Sequence, residues 1–317
     1  MDQQQQQQEM EAVFQGVDFV RLRRGRAYAH AAEDGRSVRL DPRRASHNAV
    51  WAVTPRFCPT TATYCVLLRG AYGRYLGAPD ATARDSLCCP CSAAPPCRAA
   101  AQRDFDSPEI LAILWRVVPT SRQGTFLLQD ASGRYLRANP RCLCLLPCRC
   151  RPGVSVSTCR GLGKATQWAV ETVPRGRRPD NPIARDSLFA RVCPPLSSLY
   201  VRWFSEREIR YVDADDGTGV IREDRWLSTR YAGRTTAHLK RHLVNLLVPR
   251  LIAKFTLCIR AGLYGEPTPL AVNLPRSREK LDIVLFEYAE SVDDLFIYPD
   301  VDAVAEVAAP ARDEPVP

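Results

Sequence analysis

The 317-residue sequence holds only two methionines and four histidines, and it contains no Gly-x-Ser-x-Gly element. With so few imidazoles and no such elbow, no nucleophile and base pairing is visible, and catalysis is not expected. Long apolar runs are missing too. The longest, around Leu243 to Phe255, is broken by Asn245, Pro249, Arg250 and Lys254, well short of the roughly 20 residues that span a bilayer, so a soluble protein is expected. The start, Met1 to Glu11, is a glutamine run without the basic and apolar regions of a secretory signal. The thirteen cysteines are therefore expected as reduced thiols of a cytoplasmic protein, with the nucleus also open to it.

Other motifs are present only as fragments. Asp213 to Gly217 has its glycine one place too early for a calcium loop and no glutamate at the twelfth position. Gly163-Lys164 lacks the partner glycine, with Thr158 in its place, and Ala165 follows the lysine, so a phosphate loop is excluded. His238 and His242 stand one helical turn apart, but Leu239 replaces the glutamate that would activate water. Lectin-type Gln-x-Trp repeats are absent, Gln167-Trp168 coming nearest. No cofactor is expected.

What the sequence does have is basic charge, unevenly spread. Residues 17–173 carry 23 Lys and Arg against 11 Asp and Glu, a difference of 12, whereas residues 291–317 carry 1 against 7. Such a field favours an acidic partner: an actin filament, nucleic acid or an anionic surface.

It also has a repeat. Three segments share an apolar alternation, a glycine turn, a tyrosine with alanine three residues on, and a closing Trp-x-Val before proline. The first runs through Val20, Leu22, Gly25, Tyr28, Ala31, Trp51 and Val53; the second through Val66, Leu68, Gly73, Tyr75, Ala78, Trp115 and Val117. The third uses Phe126, Leu128, Gly133, Tyr135, Ala138, Trp168 and Val170. The alternation predicts half-buried strands turned by glycine into hairpins. Trp and Val two apart share a face. Units too small to bury that face alone must pool it around one axis. Tyr28, Trp51, Tyr75, Trp115, Tyr135 and Trp168 are accordingly expected in a shared core rather than stacked on a ligand.

Beyond the basic, turn-rich Arg175 to Pro182, the pattern changes. Glu208 to Val212 and Trp226 to Tyr231 read as strands, and Thr235 or Thr236 can cap a helix carrying Leu239, Leu243, Leu246 and Leu247 on one face. Phe255 to Arg260, Pro269 to Leu274 and Leu281 to Phe286 complete a ββαβββ β-grasp.

The Val-x-Leu, Gly-x-Tyr-Leu-x-Ala and Trp-x-Val marks resemble fascin-like, actin-crosslinking β-trefoils. Over roughly residues 17–290 the chain resembles a plant family of uncharacterised proteins that joins such a domain to a ubiquitin-like one. The expected fold is thus mainly β: an N-terminal β-trefoil of three repeats followed by an α+β β-grasp. The expected boundaries are a disordered Gln-rich start at 1–16, the trefoil at 17–173, a basic linker at 174–199, the ubiquitin-like domain at 200–290 and a disordered acidic tail at 291–317. The resemblance implies a binding or scaffold protein with a protein partner, filamentous actin among the candidates. A carbohydrate- or lipid-binding trefoil and a nucleic-acid binder are the alternatives. Cys142, Cys144, Cys148 and Cys150 form a thiol cluster able to bind zinc, although their Cys-x-Cys spacing departs from the usual Cys-x2-Cys knuckle.

Overall fold

The computed structural model describes residues 14, 16–58, 63–78, 98–106, 110–120, 122, 124–139, 153–158, 163–177, 206–214, 220–247, 255–287, 296–304 and 306–307. Three successive strand groups follow one plan. The first is β1 (Phe19–Arg24), β2 (Ala27–Ala31), β3 (Val38–Asp41) and β4 (Trp51–Cys58). The second is β5 (Thr63–Arg69), β6 (Tyr75–Gly77), β7 (Arg98–Ala99), β8 (Ala101–Arg103), the short helix α1 (Ile110–Ile113) and β9 (Trp115–Pro119). The third is β10 (Thr125–Gln129), β11 (Tyr135–Asn139), β12 (Gly153–Ser157) and β13 (Trp168–Val173).

The outer strands of each group close a ring. β1 pairs with β4, β4 with β5, β5 with β9, β9 with β10, β10 with β13, and β13 returns to β1. Closure satisfies backbone groups that an open sheet would expose at its edges. The inner strands form the hairpins β2–β3, β6–β8 and β11–β12.

Each closing tryptophan sits opposite the first apolar residue of its own group: Trp51 on Val20, Trp115 on Val66, Trp168 on Phe126. All three are fully buried in one core with Leu22, Leu68 and Leu128. A buried indole needs an acceptor. Trp51 donates to Ala29 O at 3.0 Å, Trp115 to Leu76 O at 2.8 Å and Trp168 to Leu136 O at 3.1 Å. In every group the acceptor follows the repeat's tyrosine, and Tyr28, Tyr75 and Tyr135 are buried as well.

β14 (Arg175–Gly176) follows, and then the second unit: β15 (Glu206–Asp213), β16 (Leu227–Ala232), helix α2 (Thr236–Leu247), β17 (Phe255–Arg260), β18 (Thr268–Pro269) and β19 (Leu281–Glu287). The sheet order is β16-β15-β19-β17-β18, with the first and last strands parallel at its centre. Leu239 and Leu243 of α2 join Ile209, Phe255 and Ile283 in the core.

Several local expectations are corrected. Pro269 to Leu274 is not a full strand; only Thr268 and Pro269 pair with β17. Prolines at 267, 269 and 275 withhold ladder donors, and Leu270 and Leu274 turn into the core instead. Leu246 is exposed. Neither threonine side chain caps α2: the Thr236 hydroxyl donates to Val272 O at 2.7 Å, while the Thr235 carbonyl accepts the Leu239 N–H at 3.0 Å.

The ends of the chain differ too. Phe14, within the start expected to be disordered, is buried and packs edge-on against Phe126. Within the tail expected to be disordered, β20 (Tyr298–Pro299) pairs with β14, and β21 (Glu306–Val307) pairs with β13. Arg175 and Gly176, placed in the basic linker by the sequence, are the receiving strand.

Candidate functional site

The site is made by the docking of the two units, and that docking begins with a difference between repeats. In the third repeat, the Asp130 carboxylate accepts the N–H groups of Ser132 and Arg134 and the Nε of Arg134, closing the turn on itself. The second repeat has Gly70 at that position. A Cβ there would lie 3.1 Å from the Trp51 ring and 3.2 Å from Ala31. Without a local carboxylate, Arg74 reaches outward. Its Nη1 donates to Gly35 O and to Glu279 of the second unit, both at 2.7 Å, and its Nε donates to Asp104 at 2.8 Å. Burial works to raise the Glu279 carboxyl, but hydrogen bonding from Arg36 and the charge of Arg74 outweigh it and hold the group below its ordinary value. Asp104 goes the other way, raised by burial despite Arg74.

Backbone contacts complete the joint. Phe105 N–H donates to Ala261 O at 2.9 Å, Tyr264 N–H to Phe105 O at 3.0 Å, and Leu263 N–H to Asp106 Oδ1 at 2.7 Å. Gly262 (φ +87°) permits this approach, since a Cβ on it would stand 2.6 Å from Phe105 O. Gly35 (φ +73°) does the same against Pro275, at 2.8 Å.

Beside the joint lies a cleft of about 510 Å³. The strand-ring side contributes Phe19, Val50 and Val53, the second unit Ala271 and Phe286, and the C-terminal segment Phe296 and Ile297. Phe286 and Phe296 meet edge to face at 4.8 Å. Its charges are paired: Arg69 is 3.0 Å from the Glu266 carboxylate and donates to Glu266 O, and Asp18 at the rim holds Arg175. Burial lowers the pKa of His47 in the wall, which favours a neutral ring at physiological pH. The volume and apolar walls are those of a binding site.

A smaller cleft of about 330 Å³ is lined by Arg74 and Asp104 themselves. Its arginines are engaged: Arg210 by Asp282 at 2.6 Å and by the Trp226 ring at 4.8 Å, and Arg260 by Glu223 at 2.5 Å.

Of the residues singled out in the sequence, the six repeat aromatics are buried away from the larger cleft's lining, but only the three tryptophans share one core; Tyr75 packs in a separate cluster with Phe105, and Tyr28 and Tyr135 lie outside both. His242 packs on Tyr231 and contacts Thr229 at 3.3 Å, while His238 is exposed. Cys142, Cys144, Cys148 and Cys150 lie outside the described residues, as does most of the Asp213 to Gly217 turn. Among the described residues, no group of three or more His, Cys, Asp or Glu side chains is placed to hold a metal ion. Sequence reasoning missed Arg74, Glu279, Gly262 and the aromatic run at 296–298. The substitution of Gly70 for Asp130 in otherwise matching turns was the one signal that Arg74 has a different employer from Arg134.

Residues 205–286 match the family described as DUF569 associated ubiquitin-like domain. No curated protein matches the chain. Among solved structures, a Caenorhabditis elegans protein of unknown function superposes with a TM-score of 0.36 at 15% identity, over 49% of this chain and 94% of that one. SeviL, solved bound to asialo-GM1 saccharide, gives 0.33 at 9% identity, over 49% and 98%. A mosquitocidal holotoxin gives 0.34 at 13% identity, and this chain covers 49% of itself but only 16% of the toxin. Likeness this distant assigns no ligand.

Proposed function

We propose that this chain is a non-enzymatic protein-binding scaffold, in which a β-trefoil formed by the three strand groups and the ubiquitin-like domain offer a partner the apolar cleft between them. The cleft carries the reading: about 510 Å³, walled by Phe19, Val50 and Phe286, and built by both units. An apolar cleft whose charges are already paired holds side chains rather than transforming them. The repeat tryptophans support a protein partner over a glycan, because their rings are buried and their N–H groups are spent on carbonyls. The excess of 12 basic groups in residues 17–173 favours a partner that is acidic around its apolar anchor, an actin filament being one such surface.

Ala71 of the strand ring and Ala271 of the second unit both line the cleft, so Ala71→Trp and Ala271→Trp fill it from either unit. Peptides selected from a displayed library on the intact chain are expected to be apolar-anchored and to lose roughly tenfold or more in affinity, ~1.4 kcal/mol, on either variant at unchanged fold. Undiminished binding to both variants overturns the reading. Cosedimentation with actin filaments at low and high salt tests that partner separately, and absence from the pellet in both removes it.

A further inference from the structure

Residues 296–304 and 306–307 lie across the barrel as a ligand would. Tyr298 and Pro299 pair with Gly176 and Arg175, and the Asp300 N–H donates to Pro174 O at 3.0 Å. Further along, Arg21 donates to Val301 O at 2.6 Å and Arg44 to Ala303 O at 2.5 Å. Val301 packs on the small apolar patch of Phe19, Val50 and Val173. The segment then ends in β21, paired with Glu171 and Thr172 of β13. That place is open because β10 engages β13 only at Trp168 and Ala169.

Three observations distinguish this face from a merely covered surface. Most of its contacts are to main-chain atoms of the segment, which any extended chain supplies. The segment is acidic, with Asp300 and Asp302, whereas the surface beneath it gathers Arg21, Arg23 and Arg44 around the single buried carboxylate of Glu171, 3.6 Å from Arg44. Arg21 is fully buried, yet its Nε and Nη1 have no hydrogen-bond partner among the described residues, so the present occupant leaves donors unused that a carboxylate would engage. The hold is also light. Across 296–304 only Tyr298 is buried, and segments with few buried apolar contacts open at small cost.

We propose that this barrel face is a docking groove for an extended acidic peptide of a partner protein, and that residues 296–304, with 306 and 307, occupy it as a competing internal ligand. The groove goes beyond the cleft reading: it shares Phe19 and Val50 with the cleft, whose wall Phe296 to Pro299 of the segment also form, but the contacts that define it belong to β13, β14, Arg21 and Arg44. A partner segment combining an aromatic residue at the Tyr298 position with acids at the 300 and 302 positions displaces the internal one. Binding is then gated by release of the chain's own segment.

The test uses the full chain and a fluorescent peptide with the sequence of residues 296–307. In Tyr298→Ser/Asp300→Lys the internal segment loses its anchor and its charge, and the peptide is expected to bind in trans at least tenfold more tightly than to the unaltered chain. Adding Arg44→Ala to that variant is expected to weaken binding again by a comparable factor. Equal binding to unaltered and released chains, no binding to the released chain, or a dimer formed by segment exchange overturns the proposal. Hydrogen exchange on the unaltered chain gives a second check that needs no variant. The Asp300 amide is expected to exchange well ahead of the barrel amides of β5, and equal protection counts against a releasable segment.

Discussion

At the scale of single residues, Arg74 and Arg134 occupy matching places in two repeats and do different work. Asp130 consumes the charge of Arg134 within its own turn, and Gly70 frees Arg74 to bridge Asp104 and Glu279. The Glu279 carboxyl, worked upward by burial, is held low by hydrogen bonding from Arg36 and the charge of Arg74. Its folded pKa lies below the unfolded one, so its contribution is present above the ordinary carboxylate range and fades as pH falls through the depressed value. Asp104 has the opposite sign: burial raises it, and its share is complete below the ordinary range and lost as pH rises through the raised value. Glu279→Gln is therefore expected to cost about 1 kcal/mol at neutral pH and to flatten the acid limb of stability against pH. Urea unfolding at a series of pH values checks this, and an unchanged acid limb contradicts it.

At the scale of elements, the barrel turns on one contact made three times. Each closing strand starts with a tryptophan that bonds a carbonyl of its own group's hairpin, tying ring to cap. Replacing Trp115 by Phe keeps most of the apolar bulk but orphans the Leu76 carbonyl, and a loss of about 1–3 kcal/mol is expected. The same change at Trp51 and Trp168 should cost a similar amount because burial and acceptor match; denaturant midpoints of the three variants measure it. The alternation of Val20 with Leu22 and the Trp-x-Val spacing made these strands legible, since a period of two and a shared face need only neighbours in sequence. The segment 269–274 was misread because its apolar residues suit a strand while its prolines do not, and the core offered Leu270 and Leu274 a better place.

At the scale of the whole molecule, two units legible separately are fastened by contacts between distant positions. Phe105 and Ala261, or Arg74 and Glu279, lie far apart in sequence and meet only through both folds. Gly262→Val places a branched side chain where a Cβ alone would stand 2.6 Å from Phe105 O, on a backbone at φ +87°. Calorimetry is expected to resolve its unfolding into two transitions where the unaltered chain gives one. A single transition in the variant would mean that the units are coupled mainly elsewhere. The C-terminal segment belongs to this scale as well, because its partners Arg21, Arg44 and β13 all come from the barrel.

The sequence by itself determined the three strand groups, their tryptophan-centred core and the order of strands and helix in the second unit. Those features follow from local periodicity and from the need of small units to pool an apolar face. Only the tertiary structure decided where the cleft lies, which arginine bridges the units and what becomes of residues 296–304. Their acidic composition read as a free tail, and nothing local to them marks the two barrel arginines that take their carbonyls. Such contacts depend on the shape of the closed barrel, and that shape exists only once residues 17–173 have folded.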